Sequence, residues 1–125
     1  MSRREVDAKL KRIYVIVNER NGVVVASKAT FANNPWSRMK GLLGKSGLDP
    51  GEALIIRPCS SVHTAFMRFP IDVIFVDRTG KVLKIARRVA PFRFAGARRA
   101  HDTIEMAAGS LDDVELAIGD TIRIE

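Results

Sequence analysis

The sequence predicts an α+β domain that is mainly β, with a compact, barrel-like and mostly antiparallel sheet. Many short apolar runs rich in β-branched residues are separated by turn signals, a pattern typical of strands. Two other stretches have helical features instead. The chain has 125 residues, of which 46% are hydrophobic, and this suits one globular domain. We expect residues 1–10 to be a frayed basic N-terminus and residues 11–125 to form that single domain.

The first predicted element is a β-hairpin. Residues 13–17 are β-branched or aromatic, and they predict a buried strand over residues 11–18. Asn21 and Gly22 follow, and this dipeptide favours the tight turns of hairpins. Residues 23–26 are then expected to be the returning strand.

Two short helices are predicted. The first lies near residues 35–43, where Asn34 can cap the helix and Pro35 suits the first helical position. Apolar side chains then recur at helical spacing. The second helix is expected near residues 111–117, and it begins with a capping-box pattern over residues 110–113.

The remaining elements are predicted to be strands and turns. Residues 71–77 are mostly apolar, so we expect a central strand covered on both faces. The segment Asp77–Gly80 has Asp first and Gly last, the type I turn pattern, and joins this strand to the next as a hairpin. Residues 90–100 are predicted to be a long basic loop. The other strands are expected over residues 53–56, 62–67, 81–89, 102–108 and 121–124.

The stretch from Arg57 to Gly80 contains the only Cys and one of the two His residues. A break at Phe69 and Pro70 separates its two apolar runs, so we expect His63 and Asp72 on neighbouring strands near one corner. A carboxylate beside an imidazole fixes the tautomer and raises the basicity of the ring, as general-base and metal sites require. A buried structural pair, or a carboxylate that caps backbone amides, explains the same pattern equally well.

The spacing of Cys59 and His63 argues against a catalytic thiol. Four residues of extended chain span roughly 13 Å, too far for a direct hydrogen bond between nucleophile and base. A lone Cys is more often a small buried hydrophobe. Cys59, His63, Asp72 and His101 are metal-ligand types, but no zinc-ligand spacing connects them. Neither a metal nor another cofactor is therefore predicted.

Glu105 is predicted to lie on a half-buried strand between Ile104 and Met106. A buried carboxylate requires a partner, and Arg38 is the candidate. Such a pair is consistent with a purely structural role and also with a pocket shared with His63.

Basic residues concentrate between residues 81 and 99, where no acid occurs, in a chain of net charge +7. Such a stripe favours polyanions or anionic substrates, whereas cations on a strand edge also prevent edge-to-edge pairing. Phe92 and Phe94 flank Arg93, as in stacking platforms for nucleic acids. The basic residues of this surface are Lys81, Lys84, Arg87, Arg88, Arg93, Arg98 and Arg99.

Five short motifs follow one another along the chain. They are Arg38-x-x-Gly41-Leu42-Leu43-Gly44, Pro58-Cys59-x-Ser61-Val62-His63-Thr64-x-x-Met67, Pro70-Ile71-Asp72-Val73-x-Phe75-x-Asp77-x-x-Gly80, Ile104-Glu105-x-x-x-Gly109 and Gly119-Asp120. In this order they resemble the domain of unknown function 192 family, over the chain from Val23 onward. The resemblance implies a mainly β single domain with short helices and no established reaction. It also implies that Arg38, residues 63–67, Asp72 and Glu105 converge if the shared pattern marks a site.

This chain departs from that family pattern at two places. Many members have an aromatic-Met pair with Lys-Asn in place of residues 63–68, and many have Leu-Glu in place of Ile104-Glu105. Many also carry an export signal, whereas the start of this chain is charged and unlike a signal peptide. Its apolar runs are shorter than the roughly 20 residues that span a bilayer, and one Cys fits a reducing compartment. We therefore expect a cytoplasmic protein without a membrane partner.

The leading functional interpretation is a small binding domain with a polar pocket for a small anionic group. Arg38 would bind the anion through two hydrogen bonds, and His63 would change protonation near neutral pH. No nucleophile with a suitable base is recognised, so catalysis is not predicted. The alternatives are a binder of nucleic acid or an acidic partner through residues 81–99, and a protein-interaction module. The candidate pocket residues are Arg38, His63, Thr64, Met67, Asp72 and Glu105.

Overall fold

A computed structural model describes residues 12–32, 48–64 and 69–125, and within them the chain forms two β-sheets. The larger sheet has seven strands in the order β6-β5-β8-β3-β2-β1-β9, and the smaller sheet pairs β4 with β7. The strands are β1 Tyr14–Asn18, β2 Val24–Phe31, β3 Glu52–Ile56, β4 Ser61–His63, β5 Ile71–Val76, β6 Val82–Val89, β7 Phe94–Gly96, β8 Asp102–Ala107 and β9 Ile122–Ile124.

The larger sheet curls until its two edge strands meet at one end. All its pairs are antiparallel except β2 with β3, which is parallel. Lys81, just before β6, forms a bridge with Thr121, just before β9. The amide of Ile122 donates to the Gly80 carbonyl at 2.8 Å, and the amide of Val82 donates to the Asp120 carbonyl at 2.8 Å. The prediction of a barrel-like, mostly antiparallel sheet is therefore confirmed.

Each face of the larger sheet covers its own apolar core. The first core lies inside the curl and includes Ile74 and Val76 of β5. The second core lies between the sheet and the small β4–β7 sheet, and it includes Ile71, Val73 and Phe75. Because side chains alternate along a strand, β5 contributes to both cores and all six of its residues are buried. The predicted central strand is confirmed.

The two predicted hairpins are also confirmed. The pair β1–β2 turns at Gly22, whose φ of 71° is the left-handed conformation that glycine adopts without strain. The pair β5–β6 turns at Asp77–Gly80, where the amide of Gly80 donates to the Asp77 carbonyl at 3.1 Å. The Asp77 carboxylate also accepts hydrogen bonds from the Thr79 hydroxyl and the Lys81 amide.

The α+β prediction is wrong, because the described part of the chain contains strands and turns and no helix. In place of the helix predicted near residues 111–117, residues 108–113 form tight turns and residues 115–117 are irregular. The amides of Asp112 and Val114 donate to carbonyls three residues earlier. A helix of seven residues is marginal by itself. Here the Leu111 amide donates to Asp72 instead, and Asp112 pairs with Arg88. The helix predicted near residues 35–43 lies outside the described residues.

Two further segments differ from the sequence prediction. The loop predicted over residues 90–100 contains β7, which pairs with β4 in the small sheet. The strand predicted over residues 62–67 is the three-residue β4, and residues 65–68 lie outside the described part. The Arg57–Pro58 peptide bond is cis, and the Phe69–Pro70 bond is not among the cis bonds of the described residues.

Candidate functional site

Asp72 lies inside the first core and binds backbone amides. Its carboxylate accepts hydrogen bonds from the amides of Arg88 at 2.8 Å, Gly109 at 3.1 Å and Leu111 at 3.1 Å. Arg88 has φ 49° and lies in a bulge of β6, where the extra residue frees its amide from the ladder. Asp72 is fully buried. It therefore holds the bulge to the turn after β8, which is the capping alternative that the sequence left open.

Asp72 and Glu105 lie on opposite faces of the larger sheet. Glu105 of β8 is paired directly with Val73 of β5 and with Leu54 of β3. Residues directly opposite each other in an antiparallel pair share a face, so Glu105 shares the face of the second core. Asp72 precedes Val73 and faces the first core. Asp72 and Glu105 therefore do not share one site, contrary to the prediction from the sequence.

The expectation that His63 and Asp72 lie on neighbouring strands is also wrong. His63 ends β4 in the small sheet, and its backbone is paired with Phe94 of β7. Asp72 lies in β5 of the larger sheet, whose neighbours are β6 and β8. The two residues are not on neighbouring strands.

Glu105, one of the predicted site residues, lies on the second-core face, and its side chain is fully buried. Its cross-strand neighbours Leu54 and Val73 are apolar and contribute to that core. Burial of a carboxylate costs several kcal/mol unless a cation or hydrogen-bond donors compensate it. The sequence names Arg38 as that cation. Arg38 and Met67 lie outside the described residues, so their contacts with Glu105 stay predictions.

Thr64 follows β4, is fully buried and shapes the turn over residues 90–93. Its hydroxyl donates to the Ala90 carbonyl at 2.6 Å and accepts from the Arg93 amide at 2.7 Å. Its carbonyl accepts from the Phe92 amide at 2.9 Å. The polar groups of Thr64 are therefore occupied by backbone, and the residue positions Phe92 and Arg93.

Cys59 and His101 do not form a metal site with other described residues, since those residues contain no group of three His, Cys, Asp or Glu side chains in ligating positions. The Cys59 thiol donates to the Ser61 carbonyl at 3.0 Å and is partly buried. His101 Nδ1 lies 3.0 Å from Asp102 Oδ1.

A cleft that the sequence did not predict lies at the end of the curled sheet where β2, β3 and β5 finish. Its volume is about 510 Å³. Arg57 donates to both oxygens of the buried Asp102 at 2.7 Å and stacks on Phe31 at 4.9 Å. The hydrogen bonds to Asp102 raise the pKa of Arg57. The sequence contained one signal for this ion pair, because Arg57 and Asp102 have opposite charges and stand at the ends of the paired strands β3 and β8.

The charges around this cleft compensate one another. The lining residues include Arg57, Arg78, Arg123, Glu19, Asp77 and Asp102, three of each sign. Arg123 donates to Glu125 at 2.6 Å, and the Asp77 carboxylate is engaged in its own turn. Hydrogen bonds, chiefly from Thr79, lower the pKa of Asp77. The network holds strand ends together and presents no excess charge to an anion.

The predicted basic surface separates into two parts. Lys84, Arg93, Arg98 and Arg99 are exposed on or beside the small sheet, and Lys84 donates to the Gly96 carbonyl at 3.1 Å. Arg88 instead pairs with Asp112. Ala86 packs in the second core, so the alternation of β6 directs the following Arg87 to the other face of the strand.

These features define a small β domain with a curled sheet, a second sheet packed on its outer face and a buried carboxylate between them. The chain belongs to the domain of unknown function 192 family (DUF192, described as "Uncharacterized ACR"), whose pattern matches residues 16–124. The resemblance predicted from the motifs is thereby confirmed. A UPF0127 protein of Thermococcus sibiricus is 29% identical over an alignment of 116 residues, and the match covers 89% of this chain and 75% of that relative.

Two solved structures have a similar fold. A protein of unknown function from Novosphingobium aromaticivorans matches with a TM-score of 0.73 and 19% identity, over 90% of this chain and 84% of its own. A "putative transcription regulator" from Sinorhizobium meliloti 1021 matches with a TM-score of 0.72 and 15% identity, over 91% and 93%. At these identities the likeness concerns the fold alone. Among the described residues, no helix has the length and apolar character needed to cross a membrane.

Proposed function

We propose that this protein is a binding domain for a small anionic group, with its site on the second-core face of the larger sheet. The observation that carries the proposal is the complete burial of Glu105 between the apolar residues Leu54 and Val73. A buried carboxylate is costly, and residues that break the rules of core packing are often functional.

Arg38 supplies the positive charge in this proposal. A guanidinium has five N–H donors, so one edge can bind Glu105 while the other binds a carboxylate or phosphate. Glu105 is then a positioning residue that orients Arg38 and does not itself touch the anion. His63 and Met67 remain candidates for contacts with the ligand. Asp72 and Thr64 are left out, because backbone groups occupy their polar atoms.

The test is a thermal-shift and calorimetry screen with inorganic phosphate, sulfate, small mono- and dicarboxylates and nucleotides. A probe at about 100 times its dissociation constant adds roughly 2.7 kcal/mol to the free energy of unfolding. We expect at least one salt-resistant hit. The Arg38→Gln variant should lose it, and Glu105→Gln should weaken it by about tenfold, since a misplaced bidentate contact loses about 1.4 kcal/mol.

Matched controls are available on the surface. Arg78→Gln makes the same charge change as Arg38→Gln at an exposed turn position. Glu19→Gln makes the same charge change as Glu105→Gln. Glu19 is exposed, and its carboxylate lies 3.9 Å from the Arg123 guanidinium. Both controls should bind the probe as the unmodified protein does. Full binding by Arg38→Gln, or no shift with any probe, would remove the proposal.

The cytoplasmic location stays a prediction, supported by the single Cys, which fits a reducing compartment. Fractionation of cells that express the full gene at its natural level would test it. Recovery of the protein outside the cytoplasm would contradict it.

A further inference from the structure

A second surface lies on the outer side of β7 and at the turns that flank it, away from Glu105. We call it the basic-aromatic surface, and it comprises Lys84, Phe92, Arg93, Phe94, Arg98 and Arg99. All six residues are exposed. The chain has no acidic residue from residue 81 to residue 99, so no carboxylate from this segment compensates the four cations.

Phe92 is held in a conformation that is unfavourable for its side chain. Its φ is 63°, in the left-handed region that disfavours residues with a Cβ, and the residue is 76% exposed. The hydrogen bond from its amide to the Thr64 carbonyl fixes this conformation, and the Thr64 hydroxyl fixes the neighbouring Arg93 amide. The fold therefore holds a large apolar ring in solvent on a hydrogen-bonded turn, with no gain from burial.

Phe94 lies two residues further and provides a flat platform. In β7 the side chain of Ala95 packs in the second core, so Phe94 and Gly96 face outward. Phe94 is 62% exposed, and its ring reaches within 3.4 Å of the position that a Cβ of Gly96 would occupy. The ring therefore lies back over Gly96, where Lys84 Nζ donates to the Gly96 carbonyl at 3.1 Å.

We propose that the basic-aromatic surface binds single-stranded nucleic acid, with unpaired bases stacked on Phe92 and Phe94 and phosphates bound by the surrounding cations. Stacking of bases on exposed aromatic rings within a positive groove is how many proteins bind single strands without sequence preference. A duplex keeps its bases stacked inside the helix and offers them no such contact. An acidic protein would be attracted by the cations but has no planar bases to match the two rings.

The experiment measures fluorescence anisotropy of a labelled ten-nucleotide oligothymidylate with the full chain at 50 and 200 mM salt. We expect binding whose log K falls with log salt at a slope of about −3, because about four phosphate contacts contribute roughly −0.7 each. An unlabelled duplex of equal length and polyglutamate should compete at least tenfold less well than the unlabelled single strand.

Variants separate stacking from charge. Phe94→Ala and Phe92→Asn should each weaken binding by about tenfold, as the loss of one stacked base does. Asn tolerates the left-handed conformation better than Phe, so Phe92→Asn should unfold at the same temperature or higher. Arg93→Gln should reduce the salt slope by about 0.7. Arg87→Gln makes the same charge change on the other face of β6 and should leave binding unchanged.

Three results would overturn the proposal. One is the absence of oligothymidylate binding at 50 mM salt. Another is equal competition by polyglutamate with unchanged binding of both Phe variants, which would assign the surface to an acidic protein partner. The third is an equal loss of affinity in Arg87→Gln and Arg93→Gln, which would indicate attraction by net charge without a defined surface.

Discussion

Asp72 joins two irregular segments that follow neighbouring strands. Its two carboxylate oxygens accept three backbone hydrogen bonds, from the β6 bulge and from the turn after β8. These amides are outside the strand ladders, so the carboxylate takes the place of the carbonyl groups that regular pairing would supply. Arg88 has a left-handed backbone conformation, and its hydrogen bond to Asp72 compensates the strain of that conformation.

We predict that Asp72→Ala destabilises the protein by about 3–5 kcal/mol, because it leaves buried amides without acceptors. Urea unfolding followed by circular dichroism measures the effect. Asp113→Ala changes an exposed carboxylate in the following segment and should alter stability by less than about 0.5 kcal/mol. If the free energy of unfolding of Asp72→Ala lay within about 1 kcal/mol of that of the unmodified chain, the hydrogen bonds of Asp72 would contribute little to stability.

The curl of the larger sheet depends on a close approach between two elements, the β5–β6 turn and β9. Gly80 has φ 89°, and its carbonyl accepts from the Ile122 amide at 2.8 Å. A Cβ at this position would lie 2.6 Å from the Ile122 carbonyl oxygen, which is a backbone atom that cannot move aside alone. The edge strands therefore meet where only glycine fits.

We predict that Gly80→Ala costs about 2–4 kcal/mol, from left-handed strain together with the clash against β9. Gly22→Ala is the matched control, since Gly22 has φ 71° with no atom within 4 Å of the added Cβ. It should cost only the strain, about 1–2 kcal/mol. If thermal or urea unfolding showed equal losses of stability for the two variants, the close approach of Gly80 to β9 would add nothing to the cost of the substitution.

The Asp120 side chain connects the last strand to the first hairpin across the whole molecule. Its carboxylate accepts hydrogen bonds from the side chains of Asn18 and Arg20 at 2.8 Å and from the Ala117 amide at 2.9 Å. The hydrogen bond from Arg20 is the main cause that lowers the pKa of Asp120 far below its ordinary value of 3.8. The contacts with Asn18 and Arg20 join residues about 100 positions apart in the chain.

The lowered pKa gives stability a dependence on acidity. A carboxyl group whose pKa is lower in the folded state stabilises the fold above its ordinary pKa, and this stabilisation is lost as the pH falls toward the folded value. Asp77 acts in the same direction. We predict that the unfolding temperature falls below about pH 4 and that Asp120→Asn makes the fall shallower. Parallel curves for the two proteins between pH 5 and pH 2 would contradict this linkage.

The local features of this protein follow from its amino-acid sequence. Alternating and continuous apolar runs predicted the strands, and Asn21-Gly22 and Asp77–Gly80 predicted the two hairpins, because these signals act between residues close in the chain. The motifs around Asp72 and Glu105 were sufficient to place the chain in its family.

Which of these residues meet depends on the pairing of segments that are distant in the chain. The sequence put Asp72 and Glu105 in one site, but the register of β5 with β8 places them on opposite faces, and a one-residue change of register inverts that outcome. The strand β7 exists because it pairs with β4, and residues 108–113 form turns because Asp72 and Arg88 bind Leu111 and Asp112. These interactions join segments distant in the chain, and their energies exceed the local propensities that a sequence pattern reports.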